Sequence, residues 1–573
     1  MNTRRVFAFL GLWSLVLAAC GPAAEATPTK PAVAATATPL ATKVPATTPG
    51  SVAPSPSPTA TRATTVAASE APRYGGTLVY THIRDMPGFD PYKVTSTDLR
   101  DVLNFAYDRL WQAPRAQKDC VEYPPAPGLA TGFKWLDDTT VEYSIRKGVK
   151  WQNRPPMNGR ELLAADVAFN FSKLWTRMPG GEVVTDAISS IDVVDNYTLR
   201  VHLKIPFAPW PTESYDRYFL IGAPEVFPGG EPIVRWEQNV ATGPFMVGEY
   251  KPGVNIRMLK NPEYWQGAPY VDSIDFRIMP EMSTQVAALR SGKSDYLINK
   301  GIPEIDEALR TTAPQVVLRT CESPFPLSLF YPTDQKPYSD VKVRRAIAMA
   351  IDRDAILKSV YMGAGVPVWT QVRPSFGDLW LDDKQLSPEV HKYLEYRPNE
   401  SRQLLSEANA TGFTMPIITT NRFPNQVKVA EAAVAMLREV GIQANIKLLE
   451  YPAFIQQYTA PNVKTPGVGY SGGGGGSYAR AIQETFNPNG TQNRSNVRDE
   501  ELIALVAEVV RTTDQNRLRD LMHKIQRIQP ERAYYVWFPL ILNTGAFSPR
   551  VRNIYWSGTA ARNDIMWNLW LAP

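Results

Sequence analysis

After Pro72 the chain continues to Pro573 with apolar and polar residues interleaved throughout, and a body of that length exceeds what one hydrophobic core can hold. Two or three domains are expected. No stretch of the body approaches eighteen consecutive apolar residues, so none of it reads as a membrane-spanning helix. Hydrophobic residues make up 44% of the chain and include 14 Trp and 25 Tyr, enough rings to fill cores and still face a cleft.

The residues ahead of the body have another character. Arg4 and Arg5 precede an apolar run from Val6 to Ala19, too short to span a bilayer, which reads as an export signal. The run ends in Leu17-Ala18-Ala19-Cys20, which resembles the bacterial lipobox, in which the cysteine sulfur receives a diacylglycerol and cleavage leaves Cys20 first. Thr3-Arg4-Arg5-Val6-Phe7 resembles a twin-arginine signal, and an ordinary n-region with two adjacent arginines fits the same residues. From Gly21 to about Pro72 the chain is almost entirely Ala, Thr, Pro, Ser and Val, with no aromatic residue, and cannot build a core. Proline at that density favours extended segments of ~3 Å per residue, so this stretch is expected to act as a tether. The body is then held to the membrane by lipid alone.

The formal charge of +5 is spread along the chain without a basic run, which argues against nucleic acid as a partner. Beyond Cys20 there are two cysteines, Cys120 and Cys321. Outside the cytoplasm they can pair if their Cα atoms come within ~7 Å, which the sequence leaves open.

Gly75-Gly76 places a turn before Thr77-Leu78-Val79-Tyr80, a first strand, and Val141–Ile145 and Tyr197–Leu203 alternate as half-buried strands. Between residues 340 and 362 the spacing predicts a helix with Asp340 as N-cap and Val343, Ile347, Ala350 and Ile351 on one stripe. A second helix, Val427 to Val440, ends at Gly441 and gives way to alternating Ile442, Ala444, Ile446 and Leu448. Two amphipathic helices follow, through Leu502–Val509 and Leu518–Ile528, and the apolar run Tyr534 to Leu542 reads as one buried strand. The fold class is α/β.

Several separated blocks carry a family likeness. Gly75-Gly76-Thr77-Leu78 with Phe89-Asp90-Pro91, then Pro127–Ala130, Ser144–Trp151 and Ala165-Asp166-Val167, lie in the N-terminal part. Thr242–Phe245, Asn261–Trp265, Asp340–Ile347 with Ala350–Arg353, and Gly441-Ile442 follow in order. Together they resemble the solute-binding proteins of ABC importers known as the peptide/nickel-binding family, extracellular solute-binding protein family 5. The loop Gln152–Gly159 departs from the usual Asp-Gly-x-Pro-Phe-Thr.

The resemblance implies a two-lobed periplasmic-binding-protein-like fold with an extra domain in the N-terminal half. Its expected division is signal peptide 1–20, tether 21–72, lobe 1 from 73–112 and 191–325, extra domain 113–190, lobe 2 from 326–533, and a return to lobe 1 over 534–573. It also implies a monomer outside the cytoplasm that captures oligopeptides or peptide-like solutes by hinge closure and delivers them to an ABC permease. Oligosaccharide or metal-chelate capture is the alternative within the fold.

Capture needs aromatic faces and fixed polar groups, and no nucleophile beside a base. The four histidines, His82, His202, His391 and His523, show no metal-ligand spacing, and no metal or cofactor is expected. Gly469-Tyr470-Ser471-Gly472-Gly473 fits the Gly-x-Ser-x-Gly elbow and motivates a rival, a secreted hydrolase. The five glycines from Gly472 disfavour the helix an elbow requires, so the chain is not expected to be an enzyme.

In the family the corresponding segment crosses the cleft, so exposed glycine amides there can reach a solute; a flexible loop is the other reading. The candidate ligand contacts are Thr81, His82, Tyr331, Trp369, Tyr470, Ser471, Tyr478 and Arg480. Many peptide-binding relatives place an aspartate in this segment to hold the peptide's amine, whereas residues 469–480 contain no acid. N-blocked or neutral solutes are therefore expected to bind better than free-amine peptides.

Overall fold

A computed structural model describes residues 70–573 except 94–95, 114–119, 121–123, 179–180, 216–217, 459–462, 472–476, 491 and 557–566. The export signal, Cys20, the tether and the five glycines lie outside the described residues.

Gly75 and Gly76 both adopt positive φ, +116° and +85°, and turn the chain into its first strand, Thr77–His82. This strand is buried along nearly its whole length because it lies at the centre of an eight-stranded sheet. It runs parallel to Ser273–Ile278 on one side and to Tyr296–Lys300 on the other. Antiparallel strands flank that centre: Asn255–Lys260 and Phe245–Lys251 beyond one neighbour, Leu540–Phe547 and Val317–Glu322 beyond the other, with the short Gly365–Val366 pairing the start of Leu540–Phe547 as the eighth.

Parallel neighbours cannot be joined by a hairpin, and the long connection from Thr77–His82 to Ser273–Ile278 carries a four-stranded antiparallel sheet. Its order is Ala130–Asp137, Thr140–Ile145, Thr198–Leu203, Ile188–Asp195. Thr198–Leu203 alternates half-buried and buried side chains, as its sequence predicts. This sheet continues past residue 190 to Leu203, because both strands of the last hairpin pair within it. Trp151, Trp175 and Trp210 fill the space beneath it, each at most 1% exposed.

The second lobe is built on five strands in the order Gln443–Leu449, Thr414–Thr420, Gly467–Tyr470, Leu327–Phe330, Tyr535–Trp537. Thr414–Thr420 is parallel to Gln443–Leu449 and to Gly467–Tyr470, and helix Pro424–Glu439 makes the first crossover. Gly441, at φ +92°, ends that helix as its sequence predicts.

The helix expected over 340–362 is two helices. Asp340 caps Val341–Met349 through Lys342 N–H at 2.8 Å, and Asp352 caps Arg353–Ser359 through Ala355 N–H at 2.8 Å. The second capping carboxylate restarts the helix where the apolar stripe alone runs on. Ile347, Ile351, Ile417 and Val434 are fully or almost fully buried between these helices and the sheet, at about 1.5–3 kcal/mol per large aliphatic side chain. Helices Glu500–Arg511 and Gln515–Arg532 follow the expected pattern.

The chain passes from the first sheet to the second at residues 323–326 and returns at 538–539, where Gly365–Val366 also pairs with Leu540 and Ile541. The run Tyr534 to Leu542 is therefore not one strand: Tyr535–Trp537 pairs with Leu327–Phe330, and Leu540–Phe547 pairs in the first sheet. Pro539, without an N–H to give a ladder, stands at the break. Cys120 and Cys321 are bonded, with Cα atoms 5.3 Å apart, one residue before strand Val317–Glu322 ends at the first crossing. Among the described residues no helix is long and apolar enough to cross a membrane.

Candidate functional site

In open α/β sheets the backbone groups at the carboxyl ends of parallel strands are the natural place for a ligand. Both lobes present such ends, and the ends meet. The Asn425 amide, in the first turn of helix Pro424–Glu439, donates to the Gly301 carbonyl just past Tyr296–Lys300. Lys428 Nζ reaches Glu304 Oε1 across the same boundary at 2.9 Å.

On the first lobe, Thr81 and His82 end the central strand. The Thr81 hydroxyl is 3.1 Å from Gln285 Oε1, on helix Met282–Arg290, and 3.3 Å from the Tyr296 carbonyl of the neighbouring strand, so it is satisfied within its own lobe. His82 Nδ1 lies 2.7 Å from the Arg84 carbonyl, which can only accept, so this nitrogen is the donor. Nε2 then faces Asp101 at 3.4 Å and Asp98 at 3.9 Å, and Lys300 Nζ stands 3.6 Å from the same Asp101 oxygen. Asp98 and Asp101 sit on helix Thr97–Leu103, three residues apart and on one face.

On the second lobe, Tyr470 ends Gly467–Tyr470 and meets Phe423 edge-to-face at 5.3 Å and 88°. Phe423 meets Tyr451 in the same way at 6.2 Å and 84°, and the Arg422 guanidinium lies 4.1 Å over the Tyr451 ring. These three rings are half-buried and Arg422 is exposed. Phe423 follows Thr414–Thr420 and Tyr451 follows Gln443–Leu449, so all three rings stand at carboxyl ends of parallel strands. Gln426, almost fully buried, holds two of those ends together by donating to Thr419 Oγ1 at 3.1 Å and the Val468 carbonyl at 2.9 Å.

Ser471 is 1% exposed; its Oγ is 2.8 Å from Ser328 Oγ and its N–H donates to the Pro326 carbonyl. The only histidine downstream, His523, instead contacts the Asp378 carbonyl at 2.9 Å, so serine and imidazole are not assembled. Gly469, the first glycine of the elbow-like motif, has a packing reason: a Cβ there would stand 2.4 Å from the Tyr458 ring. Burial pushes the Tyr458 hydroxyl above its ordinary pKa, and burial likewise lowers that of the Arg494 guanidinium, which lies over the Tyr458 ring at 3.3 Å.

Tyr478 begins helix Tyr478–Phe486 and is buried. Arg480 pairs with Glu484 at 2.7 Å, so its charge is balanced within its own helix. Tyr331 and Trp369 lie elsewhere. Tyr331 is 0% exposed, donates to the Ala533 carbonyl at 2.5 Å and stacks on Tyr338, and burial raises its hydroxyl pKa. Trp369 packs with Leu381, Leu386 and Val390 in a satellite cluster. The structure thus brings together Tyr470 and Ser471 at one strand end, and Thr81 and His82 at another.

Sequence reasoning missed Arg422, Phe423, Tyr451 and Glu213. The first three were legible as residues just past strands, once the parallel order was known. Glu213 was not: it is 4% exposed, and its Oε1 accepts from the Ser477 hydroxyl that caps Tyr478–Phe486, 264 residues further on. A carboxylate therefore lies against a segment whose own sequence has none. Among the described residues no cluster of three or more His, Cys, Asp or Glu could hold a metal ion. An open depression of about 440 Å³ lies on the four-stranded layer, against Phe171, Thr185, Ser190 and Ile191, and no titratable side chain among the described residues lines it.

Residues 124–492 match the family model described as bacterial extracellular solute-binding proteins, family 5 Middle. The heme-binding protein A of Haemophilus influenzae is 25% identical over 506 residues, 83% of this chain and 89% of that protein. The dipeptide-binding protein of Escherichia coli is 28% identical over 438 residues, 72% and 78% of the two chains. Among solved structures, NikA from Brucella suis in complex with Fe(III)-EDTA superposes with a TM-score of 0.74 at 19% identity, over 87% of this chain and 100% of that one. DppA from Helicobacter pylori in complex with the peptide STSA gives 0.70 at 24% identity, over 87% and 99%.

Proposed function

We propose, from the premise that this chain belongs to the bacterial extracellular solute-binding proteins of family 5, that it captures a peptide or peptide-like solute outside the cytoplasm and delivers it to an ABC importer. The observation that carries the reading is the meeting of two sets of parallel-strand ends, Lys300-Gly301 with Asn425 and Lys428, in lobes joined by two short crossings. Closing such crossings buries whatever lies between the strand ends and changes the surface offered to a permease. The names of similar proteins support peptides first, since dipeptide- and oligopeptide-binding proteins recur among them. Attachment through a lipidated Cys20 rests on the sequence Leu17-Ala18-Ala19-Cys20. The Ser471 environment, a second serine and no histidine, supports capture over hydrolysis.

Native mass spectrometry of the purified body, followed by small-angle scattering with and without the solute it identifies, tests the reading. A bound peptide-like solute and compaction on binding are expected. An unchanged scattering profile at saturation removes hinge closure, and esterase or peptidase turnover lost in Ser471→Ala removes capture as the function.

A further inference from the structure

His82 ends the central strand where the two lobes meet, and it is 5% exposed. Its two ring nitrogens have different partners. Nδ1 gives its proton to the Arg84 carbonyl at 2.7 Å, and Nε2 faces the carboxylates of Asp101 at 3.4 Å and Asp98 at 3.9 Å. A carboxylate accepts, so the arrangement is complete when Nε2 also carries a proton and the ring is an imidazolium. The other three histidines stand away from these strand ends: His202 beside Asp192, His391 beside Glu395, and His523 at the Asp378 carbonyl.

The elements packed around the ring bring charges and phenols. Helix Thr97–Leu103 carries Asp98, Asp101 and Arg100, whose guanidinium donates to the Pro91 carbonyl and lies 4.9 Å over the Tyr218 ring. The neighbouring strand ends in Lys300, 3.6 Å from the same Asp101 oxygen that His82 faces. Tyr80 stands edge-on to the imidazole at 6.0 Å and 82°, and Tyr296 packs on Tyr80 at 4.5 Å. Burial above all pushes both hydroxyls well above the ordinary phenol pKa, so both stay neutral. In the loop that follows, the Arg84 side chain is exposed and Asp85 accepts from Tyr250 Oη and Gly253 N–H. Across the lobe boundary Lys428 and Glu304 pair with one another. Of these kinds of group, imidazole alone ordinarily changes its charge between about pH 5 and pH 8.

We infer that the proton on His82 sets the charge of the first lobe's strand ends, so that the choice between cationic and anionic solutes depends on pH. The inference rests on the capture reading above and adds the control of its selectivity. Each ring that loses its Nε2 proton leaves Asp98 and Asp101 with one cation fewer, in a buried place where salt screens little. The strand ends then favour a positive solute group and disfavour a negative one. Proton and solute are linked reciprocally: a cationic solute drives protons off the ring, and an anionic one draws them on.

The probes are the dipeptides Ala-Lys and Ala-Glu, titrated by calorimetry into the intact body at about pH 5.5 and about pH 8. They share their termini, so the ratio of their affinities cancels the titration of the peptide amine. That ratio, Ala-Lys over Ala-Glu, should rise at least about fivefold from the lower to the higher pH, the low end of coupling between two sites. His82→Gln should flatten it. Lys300→Met, at an exposed position, should raise the ratio at both pH values alike and keep its dependence on pH, and His391→Gln should behave as the parent. Heats measured for the parent in two buffers of unequal ionisation enthalpy count the protons exchanged, a reading that stands even where His82→Gln does not fold. Release with Ala-Lys and uptake with Ala-Glu are expected. A parent ratio that does not move with pH, an equal movement in His82→Gln, or binding without proton exchange overturns the inference and leaves capture standing. Failure of both dipeptides to bind also overturns it, and the solute that co-purifies then decides capture separately.

Discussion

Cutting the Cys120–Cys321 bond is expected to destabilise the body by several kcal/mol while leaving its folded contacts almost unchanged. The two cysteines are 201 residues apart, so in the unfolded chain the bond closes a very long loop. The loop-closure relation gives about 18 cal/mol/K for that separation, or about 5 kcal/mol at 25 °C, and engineered and native bonds usually deliver about 2–5. In the folded state each end is held without the bond. Cys120 N–H donates to the Trp556 carbonyl at 2.9 Å, and Cys321 sits in register with Asn543 on the neighbouring strand. The effect should therefore act through the unfolded state. Urea unfolding of the oxidised protein, the dithiothreitol-reduced protein and the Cys120→Ser/Cys321→Ser variant measures it. The midpoint should fall and the slope rise, because the freed chain exposes more surface on unfolding. Reduced and serine forms should coincide. A loss below about 1 kcal/mol, or iodoacetamide labelling of both cysteines in the denatured, unreduced protein, would refute the reasoning.

Gly469→Ala would put a methyl 2.4 Å from the Tyr458 ring, an overpacking expected to cost about 1–3 kcal/mol; a thermal melt matching the parent's would count against a packing role for this glycine. Glu304 is held below its ordinary carboxylate pKa first by its hydrogen bond from Lys428, so the pair supports closure above the ordinary value near 4.3 and loses it as pH falls through the lowered one. Acidification should open the lobes in scattering by a small margin, since exposed pairs give about 1 kcal/mol or less, and Lys428→Met should remove that part of the pH dependence. Glu213 answers the missing acid of residues 469–480: Ala-Phe should bind more tightly than N-acetyl-Ala-Phe, and Glu213→Gln should erase a difference of about tenfold, whereas a preference for the acetyl form would restore the sequence-based expectation. Cys20→Ala should free the exported body from membranes, and undiminished membrane fractionation would remove lipid as the anchor.

What the sequence disclosed and what it withheld divide along the range of the interactions involved. Asp340 and Gly441 were legible because a cap depends on a few neighbouring residues, and the structure places both where the local pattern does. The strand at Thr198–Leu203 was legible for the same reason: alternation with period two is a local property of the chain. Periodicity ran too far in two places. It joined Val341–Met349 to Arg353–Ser359 because Ile347 and Ile351 share a stripe, and it joined Tyr535–Trp537 to Leu540–Phe547 because apolar residues continue across Pro539. In both, one residue with a specific backbone demand, the capping Asp352 or the donorless Pro539, outweighed a continuous apolar pattern.

The candidate site depends on topology, which periodicity does not carry. Tyr331 and Tyr470 are both aromatic residues at or just past the end of a strand, and composition cannot separate them. Leu327–Phe330 is antiparallel to both its neighbours, so Tyr331 turns into the core, where its hydroxyl meets the Ala533 carbonyl. Gly467–Tyr470 is parallel to Thr414–Thr420, so Tyr470 stands with Phe423 at a carboxyl end. The direction of a neighbouring strand, decided by residues 50 or more positions away, separates a packed ring from one available to a solute. Glu213 extends the point to charge. The segment 469–480 is free of acids only as a sequence, and the fold supplies the carboxylate from the other half of the chain. An electrostatic argument from a stretch of sequence therefore holds only for the groups that stretch contains.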